Sequence, residues 1–254
     1  MKKSFIIFTT LLCTLFSAES NLDKGNEWYN RRAEGVSGFR AASAPIDSAI
    51  LYFERSLDGG QGKDAALMLI KALYFKGEYT TDNKEEKKVI FERGKQFAEN
   101  YIDRYPDLAS FRYWYLVNLG SWSKAYGILA AAREGVADLM KEHSEKIIEL
   151  DPGYENGGGY FMLGVVHYES PYIPFLLSWP DNDDAVVWLR KAVDTGGARL
   201  VQMVYLAKAL YKDGQKSEAI SILEKVANFE PSPYALVEER DDIREARELL
   251  VEYR

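Results

Sequence analysis

The sequence predicts an all-α protein in which paired antiparallel helices stack into a short solenoid. Three observations predict it. Residues 200–231 carry two apolar faces at helical spacing, Leu206, Ala207 and Leu210 on the first and Ala219, Leu223 and Val226 on the second. Gly214 stands between them, where a residue with positive φ closes a helix, and Pro231 follows where a helix must stop. The same punctuation recurs upstream, in Ala49, Phe53 and Ser56, in Ile147 ahead of Pro152, and in Leu163-Gly164. The third observation is that no run of alternating apolar and polar residues reads as a strand.

Taken in order, residues 1–20 read as a secretion leader: Lys2-Lys3, an apolar stretch from Ser4 to Phe16, and Ala18-Glu19-Ser20 as a small-x-small cleavage site. A rival reading makes Cys13 a lipidated residue and the chain a membrane-anchored lipoprotein. Residues 21–254 then form one helical domain. Residues 27–35 give a short first helix, and Asp47 is the expected N-cap of the next. Residues 64–76 are apolar on nearly every face, which predicts a buried helix. Residues 85–105 form a longer helix stopped by Pro106, and residues 108–126 an aromatic-rich one. Residues 127–150 continue as helix, with breaks expected near Gly127 or Gly135. After a triple-glycine turn at 157–159, residues 160–167 pair with 185–193, separated by a segment that Pro171, Pro174 and Pro180 keep from being helical. Residues 241–253 form a capping helix.

Large, small, turn, small, large and proline over about 34 residues resembles the tetratricopeptide repeat. Leu206-Ala207 stands at its large-small pair, Ala219 at the small position of its second helix, and Pro231 at its closing proline. The resemblance implies degenerate tetratricopeptide-like hairpins, about four of them, with small residues wherever helices approach closely.

The net charge of −7 makes the chain a poor polyanion ligand, so nucleic acid is excluded as a partner. Cys13 is the one cysteine, and its loss with a leader would remove disulfides, zinc-thiolate sites and cysteine nucleophiles.

The order of Asp151-Pro152, Gly157-Gly158, Leu163-Gly164, the Pro171 to Pro174 insertion and Ala185 to Val193 resembles the TatT family. These are periplasmic T-component proteins of TRAP transporters. The resemblance implies a periplasmic protein that partners the extracytoplasmic solute-binding protein of a TRAP transporter and handles a small apolar ligand. It implies no cofactor. Homo-oligomerisation stays open.

Catalytic chemistry finds no footing in the residues. His143 and His167 lack a carboxylate or second histidine three or four positions away, so neither marks a local metal chelate or an acid–base pair. Asp181 to Asp184 lacks the glycine and closing glutamate of a calcium loop and reads as an N-cap with acids favoured by the helix dipole. Two sets of residues are candidate sites. Trp114, Asn118 and Trp122 share one helical face, with Tyr115 beside them. Such a stripe is either core or, because a polar residue sits among rings, the lining of a ligand cleft. Tyr172, Phe175, Leu176 and Trp179 crowd the proline-rich insertion, either folding back as a lid or forming a partner-facing patch. The alternative to a ligand carrier is a cell-envelope interaction scaffold with no ligand.

Overall fold

In the computed structural model, which describes residues 19–254, the chain forms twelve helices and no strand longer than an isolated bridge among those residues. They are α1 (Asn21–Asn30), α2 (Ser43–Arg55), α3 (Gly62–Tyr79), α4 (Lys84–Arg104), α5 (Ala109–Tyr126) and α6 (Ile128–Arg133). There follow α7 (Val136–Leu150), α8 (Gly158–Glu169), α9 (Asn182–Asp194), α10 (Leu200–Lys212), α11 (Lys216–Ala227) and α12 (Leu236–Tyr253). The fold is all-α and tetratricopeptide-like. Five hairpins, one more than the sequence suggests, pair α1 with α2, α3 with α4, α5 with α7, α8 with α9 and α10 with α11, and α12 closes the stack. None of the helices is long and apolar enough to cross a membrane.

Local chemistry sets the helix starts. Asn83 and Asp181 each accept two backbone N–H groups at the heads of α4 and α9, satisfying donors that have no partner inside the helix. Ser20, placed by the sequence reading at the end of a leader, is the N-cap of α1 and forms a reciprocal capping box with Asp23. The remaining residues of the expected leader, Cys13 among them, lie outside the described residues. Asp47 does not cap α2, which begins four residues earlier because Pro45 falls in its first turn, where a missing N–H costs nothing. The Asp47 carboxylate instead meets Lys76 of α3 at 2.8 Å. The expected break comes at both glycines: Gly127 (φ 119°) and Gly135 (φ 79°) separate α5, α6 and α7.

Consecutive odd-layer helices α1, α3, α5, α8, α10 and α12 touch one another and form the inner layer; α2, α4, α7, α9 and α11 lie outside. Small residues permit this stacking. Ala207 and Ala219 are fully buried, and a Cβ on Gly164 would sit 2.6 Å from Leu189 Cγ and 3.0 Å from the Leu189 backbone nitrogen. Because α9 backbone cannot yield cheaply, Gly164→Ala is expected to destabilise the fold by about 1–2 kcal/mol, overpacking outweighing the gain in helix propensity. A urea titration reads this as an earlier midpoint.

The solenoid curls until its ends meet. Val237 of α12 is fully buried in a core otherwise made by the first hairpins, with Leu22, Ile46, Phe53 and Phe75.

Candidate functional site

The nearly all-apolar pattern of α3 buries it between α1 and α5 in the inner layer, and Lys71, midway along it, lines the space the layer encloses. That space is a cavity of about 320 Å³. Tyr29 and Arg32 line it from α1 and the turn after it, Lys71, Tyr74, Phe75 and Tyr79 from α3, and Trp114 from α5. Arg199 and Val201 line it from the start of α10, and Glu238, Glu239 and Asp242 from α12. A second pocket of about 150 Å³ shares Tyr74, Trp114, Arg199 and Val201 with it and continues past Phe161 and Val165 of α8. A smaller apolar one shares Gly120, Lys124, Met140 and Val165 with the second. The first two form one trough along the inner face, and the third continues it between α5, α6, α7 and α8.

Arg32 shuts one side. Its Nε and Nη2 donate to Glu238 Oε1 at 2.9 and 2.7 Å, Nη2 also to the Tyr234 carbonyl at 2.5 Å, and Nη1 to the Tyr29 carbonyl at 3.2 Å. Its guanidinium stacks over Tyr29, 4.6 Å from the ring centre. Burial pushes the Tyr29 hydroxyl up to about 12 and those of Tyr74 and Tyr79 well above their usual value. Across the cavity, Lys71 lies 4.9 Å from the Trp114 ring centre and 3.6 Å from Glu155, which Arg199 also engages. Burial lowers the Lys71 pKa, with Glu155 opposing the shift. Asp242 makes no hydrogen bond or ion pair among the described residues. Burial first, then its like-charged neighbours Glu245, Asp241, Glu239 and Glu238, raise its pKa well above the carboxylate range.

Of the aromatic stripe, Trp114 lines the cavity and the other three do not. Tyr115 turns to α7, its ring 4.8 Å from that of His143. Asn118 is fully buried against α4, where Gly94 leaves room for it, and its Nδ2 donates to the Trp114 carbonyl at 2.8 Å. Trp122 stacks on Tyr126 and carries Lys95 over its face. Each step of four residues turns about 40° around a helix, so positions 114, 118 and 122 drift from the inner layer toward α4.

The insertion lies away from the main cavity. Ile173 and Leu177 exchange backbone hydrogen bonds of 2.7 and 2.8 Å, with Leu177 buried, and leave Tyr172, Phe175 and Leu176 exposed on a tight tip. Trp179 is half-buried: its indole donates to Asp138 at 2.7 Å and its ring meets His167 edge-on. Phe175 has φ 65° and a fully exposed side chain. Phe175→Gly is therefore expected to stabilise the chain by about 0.5–1 kcal/mol, since left-handed strain is relieved and no packing is lost. Thermal unfolding of the variant checks this.

His143 lies 3.3 Å from Arg112, and His167 accepts the Asp181 N–H at 3.3 Å; burial lowers the pKa of both imidazoles. No group of three or more potential ligands is poised to hold a metal among the described residues. The cluster that sequence reasoning missed is Arg32, Glu238 and Asp242, which lies at opposite ends of the chain. Its one local signal is Lys71, a cation inside an otherwise apolar run.

Residues 46–176 match the family model described as regulator of microtubule dynamics protein 1-3. Comparison with curated proteins gives no match. The crystal structure of a thermophilic TPR protein from Thermus thermophilus aligns with a TM-score of 0.61 at 14% identity, covering 92% of this chain and 96% of that one. That likeness shows the fold. The family match overturns the TatT resemblance. With it go the solute-binding-protein partner of a TRAP transporter and the small apolar ligand, which that reading carried, and the same match overturns the periplasmic localisation and its lipoprotein variant read from residues 1–20.

Proposed function

Because the chain belongs to the regulator of microtubule dynamics protein 1-3 family, through residues 46–176, we propose that it is a non-catalytic protein-interaction scaffold. Regulating a protein polymer, as the family's name describes, is work done through protein contacts. The inner trough is the surface for that work here. The observation that carries the reading is its continuity: the first two pockets share residues of α3, α5 and α10, and the third continues from the second between α5, α6, α7 and α8, giving a concave track for an extended segment of a partner chain. Among the described residues neither histidine is paired with a hydroxyl, so the trough is read as a receptor and not as a reaction site. Trp114 belongs to this receptor, and the exposed tip at Tyr172, Phe175 and Leu176 is a separate surface.

Photo-crosslinking tests this. A benzoylphenylalanine at Tyr74, inside the trough, is expected to give a discrete protein adduct in cells. The same residue at Val89, exposed on α4, is expected to give none. Adducts from the outer position alone would sink the scaffold reading.

A further inference from the structure

The charged groups of the cavity are matched with one exception. Arg32 holds Glu238, Glu155 holds both Lys71 and Arg199, and Glu239 accepts the Ser232 N–H at 2.5 Å. Asp242 lines the cavity with no donor. Asp242 itself is half-buried. One helical turn before it, Glu238 Oε2 is buried without a partner, because Arg32 uses only Oε1. Two carboxylates a turn apart on α12 thus border the cavity, Asp242 with no donor among the described residues and Glu238 with one oxygen unpartnered. A buried acceptor such as Glu238 Oε2 is rare unless something supplies the donor.

The missing donor is cationic. Glu238, Glu239, Asp241 and Asp242 share the first half of α12, and Glu245 follows just beyond it. The groups facing Asp242 from other helices are neutral phenols, Tyr74 and Tyr79, whose rings stand 6.1 Å apart edge to face. Arg32 is already committed to three acceptors. An anion would find the cavity's cations already paired, and a divalent ion would sit beside the Arg32 charge. A singly charged group with several donors and an aliphatic stem meets the carboxyl at its tip and the ring faces along its length.

We propose that the cavity is the receptor for a lysine side chain of a partner segment, its ammonium donating to Asp242 and to Glu238 Oε2 while its methylenes lie along Tyr74 and Phe75. The proposal rests on the reading of the inner trough as the binding surface and names the chemistry read at its deepest point.

Calorimetric titration of the full chain with Nα-acetyl-lysine methylamide, n-butylamine and n-butanol tests it. Both amines are expected to bind and the alcohol not. Asp242→Asn should weaken both amines by about tenfold or more, the loss expected for a charge-assisted hydrogen bond. Asp184→Asn, an acid on the outer side of α9, should leave them unchanged. Equal binding to the Asp242→Asn variant, or an alcohol that binds as tightly as the amines, would overturn the site. Binding of butylamine with the lysine amide excluded would overturn the assignment to a partner's lysine. Absence of amine binding while the Tyr74 crosslink still forms would remove this inference and leave the scaffold standing; absence of both would remove both.

Discussion

Replacing Arg32 with Met is expected to cost about 3–5 kcal/mol, the largest loss from any single substitution proposed for this chain, because it strands a buried charge. Arg32 is 9% exposed and joins the first hairpin to the last helix, its partners lying up to 206 positions away. Without it, Glu238 keeps a buried carboxylate with neither oxygen partnered, and the Tyr29 and Tyr234 carbonyls lose their donor. The loss should exceed that of any surface pair, such as Arg244 with Glu248, whose removal changes stability by about 0–1 kcal/mol. A double variant, Arg32→Met with Glu238→Leu, is expected to recover much of the loss, since the penalty comes from the unpaired charge more than from the absent attraction. Equilibrium unfolding in urea decides the matter. A loss below about 1 kcal/mol would show that Val237 and its apolar neighbours close the ring unaided.

That contact also marks where sequence reasoning stops. The hairpins were legible because their determinants are local: Gly214 and Pro231 end helices through their own backbone chemistry, and Ala207 and Ala219 are small because neighbouring helices press on them. The same physics explains why the family resemblance misled. Gly158 is tight against Tyr113 and Gly164 against Leu189. The glycine motifs that suggested TatT are thus close-packing requirements that any solenoid of degenerate hairpins meets, and they do not distinguish one family from another. The start of α2 was missed because Asp47 has a capping residue's chemistry, while the tolerance of a first turn for Pro45 leaves a weaker mark. The cavity was illegible for a different reason. Arg32, Lys71, Arg199 and Asp242 come from four separate parts of the chain, and only the curl of the whole stack, fixed by the burial of Val237 under the first hairpins, brings them together. Trp114 stands out in the sequence because its helix is dense in rings, and it lines the cavity. That its companions at 118 and 122 leave the inner face follows from helix geometry and from Gly94, which gives Asn118 a place on α4.

Asp242 should make stability depend on pH in a direction opposite to that of most carboxylates. An aspartate in the unfolded chain titrates near about 3.9. Burial and the surrounding acids raise the folded value well above that, so the folded state holds this proton more tightly. The sign follows: the contribution is fully present below the unfolded value and is lost as pH rises through the folded one. The phenols facing it do not reverse this, because Tyr74 and Tyr79 stay neutral far above that range. Asp242→Asn removes the ionisable group and keeps its size, so the variant is expected to match the parent near pH 4. At pH 8 it should exceed the parent by about 1–3 kcal/mol, the scale set by a buried group left without a partner. Thermal unfolding midpoints at the two pH values measure the difference. A gap of the same size at both would mean that packing, not charge, separates the two proteins. Adding butylamine at pH 8 should raise the midpoint of the parent and leave that of the variant in place, because only an ionised Asp242 rewards a cation beside it.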